Sequence, residues 1–282
     1  MIDNPAPACP TTFGQEPPPA TEQREVLRVR DGIAAPGEDA LADEVPVALV
    51  YNGISHAVMM ATPQDLEDFA LGFSLTEALI DHAGECYGID IEAGPGGVAV
   101  QLEIASRAFV ALKERRRSLA GRTGCGLCGV DSLDQVYRTL PAQRSGAVLT
   151  GDGVRAALAA LPARQALNQI TGATHAAAWC GPDGALAVVR EDVGRHNALD
   201  KVVGALARDP ALRADGGFVL VTSRVSVEMV QKAAMAGAAG IVGVSAPTAA
   251  AVRMADGAGL VLLAFARGDK FTCYAGRERV AP

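Results

Sequence analysis

The chain has 282 residues, of which 49% are hydrophobic and only 4% aromatic, and its formal net charge is −7. This length is enough for two domains of ordinary size, and the acidic balance argues against a protein that binds nucleic acid by neutralising phosphates. No stretch reaches the roughly 20 apolar residues that span a bilayer, and the N-terminus lacks the basic and apolar regions of a secretory signal. Six cysteines, only two of them closely spaced, fit a reducing compartment. We therefore expect a cytoplasmic protein that binds neither nucleic acid nor membranes.

The first sixty residues predict a tail followed by strands. Six prolines and almost no apolar periodicity in residues 1–22 indicate a disordered tail. Strands are predicted at Val26–Arg30, Val45–Val50 and Ile54–Met60. An Asn-Gly dipeptide at positions 52 and 53 separates the last two strands. It favours a type I′ hairpin turn, because such a turn needs positive φ at both central residues.

A helix and two further strands complete this region. Thr62 supplies a capping hydroxyl, Pro63 fits the first helical position and Asp65 fits the first turn. Apolar residues follow at helical spacing and form one face, namely Leu66, Phe69, Ala70, Phe73 and Ile80. Strands are predicted at 87–92 and 98–104, so residues 23–123 predict a small α+β domain.

Residues 106–119 predict a helix whose end carries several basic side chains, namely Lys113, Arg115, Arg116 and Arg117. Cations stabilise a helix C-terminus, so these residues fit a solvated basic end. Because they precede two closely spaced cysteines, a second role is to lower the pKa of those thiols and attract an anionic ligand. The partial negative charge of the helix C-terminus opposes that role.

Residues 124–129 read Gly-Cys-Gly-Leu-Cys-Gly, with the thiols at Cys125 and Cys128. The thiolate is the nucleophilic and metal-binding form of cysteine, and flanking glycines let a bulky sulfur acceptor approach the backbone. A dinucleotide-binding turn is discarded because a basic helix, and not a strand, precedes this stretch. A thioredoxin-like redox pair is not favoured either, because such a pair opens a helix after a strand and this stretch follows a basic helix.

A zinc site remains an unsupported alternative for the two cysteines, because it needs two further ligands and the other cysteines are scattered. We therefore predict no tightly held metal. The stretch favours a nucleophilic or sulfur-carrying cysteine, in which the second thiol resolves or assists. Residues 124–150 are taken as this loop and a connecting segment.

Residues 151–282 predict an α/β domain, because strands and helices alternate. Helices are expected at 131–140, before this domain, and at 152–169. Further strands are predicted at 176–180, 185–191, 218–222, 241–244, 260–265 and 271–274, and further helices at 196–208, 225–237 and 248–255.

Three polar stretches of this domain follow strands. Residues 191–201, which include Arg195 and His196, form a strand-to-helix junction that favours anions, and a plain surface helix start is the alternative. In the next stretch Ser226 fits a helix cap, and Arg224 with Lys232 fits a phosphate-binding pair. Residues 265–270 follow a strand at the edge where open α/β sheets bind ligands, and a basic tight turn is the alternative to a nucleotide-binding loop.

Deaminase chemistry is not expected at His175. Zinc deaminases carry a glutamate two residues after the histidine and a pair of cysteines downstream. Here the glutamate position holds Ala177, and the closely spaced cysteines lie upstream.

In their order along the chain, these motifs resemble the formate dehydrogenase accessory sulfurtransferases, the FdhD family. The resembling stretches are the glycine-flanked cysteines and residues 191–201, 223–237, 244–248 and 265–270. The resemblance implies an α/β protein with a three-layer C-terminal domain of cytidine-deaminase-like fold and a smaller α+β N-terminal domain.

The resemblance also implies an activity, that of a sulfurtransferase. It would take sulfur as a cysteine persulfide from a cysteine desulfurase and pass it to a bis-molybdopterin guanine dinucleotide cofactor required by formate dehydrogenase. Cys125 matches the family's persulfide-carrying cysteine and Cys128 its partner. The family's cofactor-binding loop matches Phe265, Ala266, Arg267, Gly268, Asp269 and Lys270. The desulfurase, the dehydrogenase and a second copy of this chain are the expected partners, and the alternative function is a non-catalytic chaperone that binds the cofactor.

Overall fold

The computed structural model of the protein describes residues 16–119, 140 and 146–282. Its N-terminal part contains β1 (Thr21–Arg30), β2 (Ile33–Ala42), β3 (Val45–Tyr51), β4 (Ile54–Ala61), α1 (Leu66–Thr76), β5 (Cys86–Gly94), β6 (Gly97–Ile104) and α2 (Ser106–Leu119). Its C-terminal part contains β7 (Leu149–Thr150), α3 (Gly151–Ala160), α4 (Ala166–Thr171), β8 (His175–Cys180), β9 (Leu186–Asp192), α5 (Arg195–Arg208), β10 (Phe218–Val221), α6 (Val227–Met235), β11 (Gly240–Gly243), α7 (Ala249–Ala258), β12 (Val261–Arg267), β13 (Lys270–Ala275) and β14 (Val280–Ala281). Within these ranges, every helix is too short or too polar to cross a membrane.

The N-terminal part is built on a four-stranded sheet in the order β4-β3-β6-β5. The predicted hairpin between β3 and β4 is confirmed, since Asn52 and Gly53 have φ values of 46° and 80°. The inner face of the sheet packs on α1 around Leu49, Phe69 and Val100, all of which are fully buried. The apolar residues that alternate along the strands and those at helical spacing along α1 therefore pack into one core.

The two strands that precede this sheet in the sequence form a separate ribbon. β1 pairs with β2 in antiparallel register through a turn at Asp31 and Gly32, both with positive φ. β1 begins at Thr21, so the last two residues of the predicted tail lie in a strand, and β2 was not predicted at all. Pro36 and Gly37 lie within β2, which is why the sequence lacks a strand pattern there.

The start of α1 differs from its prediction. Asp65 occupies the N-cap position with φ 52° and makes no capping hydrogen bond through its side chain. The hydroxyl of Thr62 instead accepts a hydrogen bond from the backbone N–H of Val193, 131 residues away. The helix ends at Thr76, so Ile80 is buried in the same core from beyond the helix.

The C-terminal part is a three-layer structure around a six-stranded sheet in the order β13-β12-β11-β10-β8-β9. Successive residues of β8 face opposite layers: Ala177 and Trp179 belong to the core beneath α5, α6 and α7, while Ala178 and Cys180 belong to the core beneath α3. β10, β11 and β12 are parallel, and β8 is antiparallel to both of its neighbours. The predicted alternation and three layers are confirmed, and the more specific likeness to cytidine deaminases stays a prediction.

Two predicted helices of this region need comment. The helix expected at 152–169 is divided into α3 and α4 by a 3-10 turn at Leu161–Arg164, because Pro162 cannot continue the hydrogen-bond ladder of an α-helix. The helix expected at 131–140 lies outside the described residues, apart from Leu140. β7 and Thr150, which caps α3, fall in the predicted connecting segment. The division into domains otherwise stays a prediction.

The two parts of the molecule meet where α1 crosses α5. A Cβ atom added to Gly72 would overlap the backbone carbonyl of Asp200, and one added to Gly204 would overlap that of Asp68. The two backbones are therefore in direct contact at this crossing. Asp68 also accepts two hydrogen bonds from the guanidinium of Arg190, at 2.7 and 2.9 Å, which anchors α1 to β9.

Candidate functional site

The polar stretches singled out from the sequence meet along one edge of the six-stranded sheet, which we call the carboxyl edge. β10, β11 and β12 are parallel and end there; residues 222–226 follow β10, residues 244–248 follow β11, and residues 265–270 comprise the end of β12, the turn after it and the first residue of β13. β8 runs the other way, so its first residue, His175, lies at the same edge, opposite the last residue of β9. The α5 N-terminus follows immediately. Ligands of open α/β sheets bind in this kind of position.

Hydrogen bonds connect the turns along the carboxyl edge. The N–H of Val225 donates to the carbonyl of Ala246 at 3.1 Å, and the N–H of Thr248 donates back to Val225 at 3.0 Å. One strand further, the N–H of Phe265 donates to the carbonyl of Ser245 at 3.1 Å. These bonds fix the turns after β10, β11 and β12 relative to one another.

Phe265 is the most unusual residue of this edge. Its φ of 51° is left-handed, which is rare for a bulky residue, and it lies in a bulge where the β12–β13 register shifts. The bulge turns the ring outward, so that Phe265 is 48% exposed and lies 6.5 Å from the ring of Tyr274, between centroids. Backbone strain of this kind is common at ligand sites.

A shallow pocket of about 390 Å³ lies beside these rings and is lined by Phe265, Tyr274, Pro247, Thr248 and Val252. Two aromatic rings next to such a pocket suit a flat heterocycle, because every base has a face that can stack. The hydroxyl of Thr248 already caps α7 by accepting from the N–H of Ala251.

The rest of the predicted cofactor loop is a hairpin turn. Residues 265–267 lie within β12 and do not follow it, the turn itself is Gly268 and Asp269, and Lys270 begins β13. Ala266 is buried in the sheet, while the other five residues of the loop are exposed. Arg267 donates from Nε to the carbonyl of Val244 at 3.3 Å, which connects its side chain to the turn after β11. A cofactor-binding role for these six residues stays a prediction.

Half of the 191–201 stretch is structural. Lys201 and Asp192 form an ion pair of 2.7 Å in which both side chains are fully buried. Asp192 also accepts from the N–H of Thr62 at 3.0 Å, and Lys201 donates to the carbonyl of Thr62 at 3.0 Å. Asn197 donates to both Asp192 and Met60. This network ties the N-terminal part to the start of α5, and the sequence alone gives no signal for it.

Glu191 is structural as well. Its carboxylate accepts from the N–H groups of Leu167 and Asn168, each at 2.8 Å, and from the hydroxyl of Thr174 at 2.9 Å. It therefore caps the N-terminus of α4 from a strand 24 residues away.

The prediction that Arg224 and Lys232 together bind phosphate is wrong. Arg224 is exposed, but Lys232 is buried at the junction with α1 and donates to both oxygens of Asp200, at 2.8 and 2.9 Å. It also donates to Thr76 and Glu77. Burial raises the pKa of Asp200 to about 6, against the opposing charge of Lys232. Ser226 does occupy the N-cap of α6, but its hydroxyl makes no capping hydrogen bond.

Three residues with nitrogen-bearing side chains lie at the β8–β9 end of the carboxyl edge, namely His175, Arg195 and His196. Burial, reinforced by the charge of Arg195, lowers the pKa of His196 to about 4. The same two causes lower the pKa of His175. Both imidazoles are therefore neutral at neutral pH, and Arg195 supplies the positive charge.

Cys125 and Cys128 lie outside the described residues, so their role stays a prediction. Of the cysteines that the structure describes, Cys180 is fully buried, and burial raises its thiol pKa strongly. Burial also raises the pKa of Cys86 and Cys273. None of these three thiols is poised as a thiolate. No group of three metal-binding side chains comes together among the residues described.

Comparisons with known proteins agree with this architecture. The chain is 55% identical to a sulfur carrier protein FdhD of Cupriavidus necator over 271 residues, covering 96% of this chain and 94% of the relative. It is 48% identical to the sulfur carrier protein FdhD of Xanthomonas euvesicatoria, covering 93% of each chain. A crystal structure of a protein described as a formate dehydrogenase accessory protein, from Desulfotalea psychrophila, superposes with a TM-score of 0.73 at 22% identity, covering 93% of this chain and all of the other.

A family model gives the assignment. The model of the FdhD/NarQ family matches residues 42–281, which include the four-stranded sheet, the six-stranded sheet and every stretch of the carboxyl edge. The two relatives described above, at 55% and 48% identity over more than nine-tenths of this chain, agree with this match. The chain belongs to the FdhD/NarQ family.

Proposed function

We propose that this protein is a sulfurtransferase that supplies sulfur to the molybdenum cofactor of formate dehydrogenase. It would receive sulfur from a cysteine desulfurase, hold it as a persulfide on Cys125, and pass it to a bis-molybdopterin guanine dinucleotide bound at the carboxyl edge. The observation that carries the proposal is the combination of a glycine-flanked cysteine pair with relatives named as sulfur carriers over 96% of this chain.

The first step is an exchange between sulfur atoms. The Cys125 thiolate attacks the outer sulfur of the desulfurase persulfide, and the desulfurase leaves as its own thiolate. One S–S bond forms as another breaks, so no oxidant is needed. Glycine, which has no side chain, stands at positions 124 and 126 and suits such an attack, because it adds no bulk beside the thiol.

The second step releases the sulfur, and Cys128 is suited to it. Attack of the Cys128 thiolate on the inner sulfur of the Cys125 persulfide forms a Cys125–Cys128 disulfide and expels the outer sulfur as sulfide, the form in which a metal binds it. The two cysteines supply the two electrons. A cellular dithiol then has to reduce the disulfide before the next cycle.

The described part of the site supports the binding of the acceptor. The Phe265 and Tyr274 rings beside the pocket fit the guanine base by stacking. The exposed cations Arg267 and Lys270 lie on the same hairpin turn, where they suit the pyrophosphate that follows a guanosine. The nucleotide end of the cofactor would thus lie over β12 and β13.

Mass spectrometry of the intact protein tests the sulfur-carrying role. After incubation with a cysteine desulfurase and cysteine, the wild-type chain is expected to gain about 32 Da, one sulfur atom. The Cys125→Ala variant is expected to gain nothing, while Cys128→Ala, the matched control, keeps and accumulates the adduct. An adduct of equal yield on Cys125→Ala would refute the role of Cys125. No adduct on the wild type, with nucleotide binding intact, would favour the chaperone.

A further inference from the structure

We propose that Arg195, His175 and His196 form a second, oxyanion-binding subsite at the β8–β9 end of the carboxyl edge, which binds a phosphate or diphosphate group. This subsite lies away from the Phe265 pocket. It does not depend on sulfur transfer, so a protein that carried no persulfide would still bind the anion.

Two of the three side chains of this subsite each keep a nitrogen atom that the fold does not use. Nε of Arg195 and Nε2 of His196 are buried without a hydrogen-bond partner in the described part of the chain. Arg195 forms no ion pair within the described ranges either, although Asp192 and Asp200 on the same stretch are both paired with lysines. A guanidinium left in this state at a sheet edge is a strong anion receptor, because it offers a fork of donors.

The surroundings favour an oxyanion over a metal ion. Arg195 and His196 are the first two residues of α5, a helix of 14 residues with no acidic residue in its first turn, so the helix dipole adds positive potential. The two neutral imidazoles each keep one N–H to donate. No set of three metal ligands forms in the described ranges, which agrees with this choice.

Three acidic groups among the described residues interact electrostatically with the subsite, but Asp192 and Glu77 are paired with Lys201 and Lys232, so Glu228 is the group that chiefly opposes the anion. Glu228, in the first turn of α6, is close enough to interact electrostatically with both Arg195 and His196, but it forms no ion pair with Arg195 in the described chain. It therefore limits affinity without occupying the guanidinium. Removal of Glu228 is therefore expected to raise the affinity for the anion, and removal of Arg195 is expected to lower it.

The subsite is too far from the aromatic pocket to share a mononucleotide with it. Four strand spacings separate β12 from β9, which amounts to about 19 Å along the edge. The phosphate it binds is therefore either a free anion or belongs to the far part of a long ligand whose base occupies the Phe265 pocket. Both sources present the same chemistry to Arg195.

Calorimetric titration with inorganic pyrophosphate tests the subsite directly. The Arg195→Gln variant is expected to bind pyrophosphate about 10- to 100-fold more weakly than the wild type, the loss expected for charge-assisted hydrogen bonds. Glu228→Gln is expected to bind it more tightly. Arg224→Gln removes the same charge from an exposed turn of the same edge and is expected to change the affinity less than about threefold. Because Arg195 pairs with nothing described, its variant should unfold at the wild-type temperature.

Equal pyrophosphate affinity in wild type and Arg195→Gln would overturn the subsite, as would equal losses in Arg195→Gln and Arg224→Gln. A second arm identifies the source of the phosphate. If cofactor released from formate dehydrogenase displaces radiolabelled pyrophosphate and GDP does not, the anion belongs to a long ligand. If neither displaces it, the subsite takes a free anion, and Arg195→Gln remains the deciding variant.

Discussion

Gly72 lies against the backbone carbonyl of Asp200, and Gly204 lies against that of Asp68. Because α1 and α5 cross in backbone contact, neither position has room for a side chain. A methyl group at either position has no flexible side chain to push aside. The contact is therefore a steric requirement of the whole junction between the two parts of the molecule.

The Gly72→Ala variant is expected to lower the free energy of unfolding by about 3 kcal/mol, because the two helices must separate to admit the methyl group. Urea unfolding measures the change. Gly257→Ala is the matched control: this glycine also lies in a helix, has open space around it and should gain about 0.5–1 kcal/mol from the substitution. Unchanged stability of Gly72→Ala would mean that the helices do not touch.

Phe265 is the residue on which the proposed nucleotide pocket depends. Replacement by Ala is expected to weaken GDP binding about tenfold or more, since stacking of a base on an aromatic ring contributes about 1–3 kcal/mol. Tyr87→Ala removes another exposed ring, from β5 in the four-stranded sheet, and should leave GDP affinity as it is. Equal GDP affinities for the wild type and Phe265→Ala in a fluorescence titration would remove the base from this pocket.

Single residues also show where sequence reasoning succeeds. Asn52 and Gly53 fix a turn by local sterics alone, so their prediction needed nothing distant. Thr62 has the right sequence for a helix cap, but its hydroxyl is used by Val193 from another part of the chain. Lys232 is predicted from the sequence to bind phosphate with Arg224, but it is buried against Asp200, a partner 32 residues away. Long-range partners decided both errors.

At the scale of elements, α5 connects the carboxyl edge to the N-terminal part. Its first two residues lie at the edge, and a face formed by Asn197, Asp200, Lys201 and Gly204 contacts the other part of the molecule. These positions recur at the three- and four-residue intervals of one helical face. The same helix therefore holds Arg195 and His196 at one end and contacts the N-terminal part along one face.

The buried Asp192–Lys201 pair tests this arrangement. Lys201→Met is expected to lower stability by about 3–5 kcal/mol, because it leaves Asp192 charged and buried without its counter-ion. The double variant Asp192→Asn with Lys201→Met should be more stable than Lys201→Met alone, since no buried charge remains. Denaturant unfolding of the four proteins of this cycle gives the coupling. Strictly additive losses would show that the two side chains do not act as a pair.

Elements were predicted well where their pattern is local. Every strand of the six-stranded sheet was expected from apolar runs, and α2 was predicted with its observed bounds. The β1–β2 ribbon was half missed, because an exposed ribbon has no buried face and hence no alternation of apolar residues to recognise. The order of the strands, which brings the motifs to one edge, follows from the long-range pairing of β8 with β10.

At the scale of the whole molecule, stability should depend on pH through His196. The pKa of this residue is lowered to about 4 from its ordinary 6.5, so between these values the unfolded chain binds a proton that the native imidazole does not. The stability that depends on neutral His196 is complete above pH 6.5 and is lost as the pH falls towards 4. Lys232 lowers this pKa further, while Glu228 and Glu77 oppose the shift.

The comparison with His196→Gln isolates that effect. Asp200, whose pKa is raised to about 6, also makes stability depend on pH, but it does so equally in both proteins. Between pH 7 and pH 5 the wild type is expected to lose about 2 kcal/mol more stability than the variant. Urea unfolding at both pH values provides the measurement. If the two proteins lose equal stability, His196 is not held neutral by the fold.

The measurement that tests the central claim most directly follows sulfur through the complete reaction. Radiolabelled cysteine, a cysteine desulfurase and this protein are mixed with formate dehydrogenase whose cofactor lacks its sulfur ligand. The label is expected on the cofactor, with recovery of formate oxidation, and both should be absent when Cys125→Ala replaces the wild type. Label reaching the cofactor at the wild-type rate through Cys125→Ala would contradict the account.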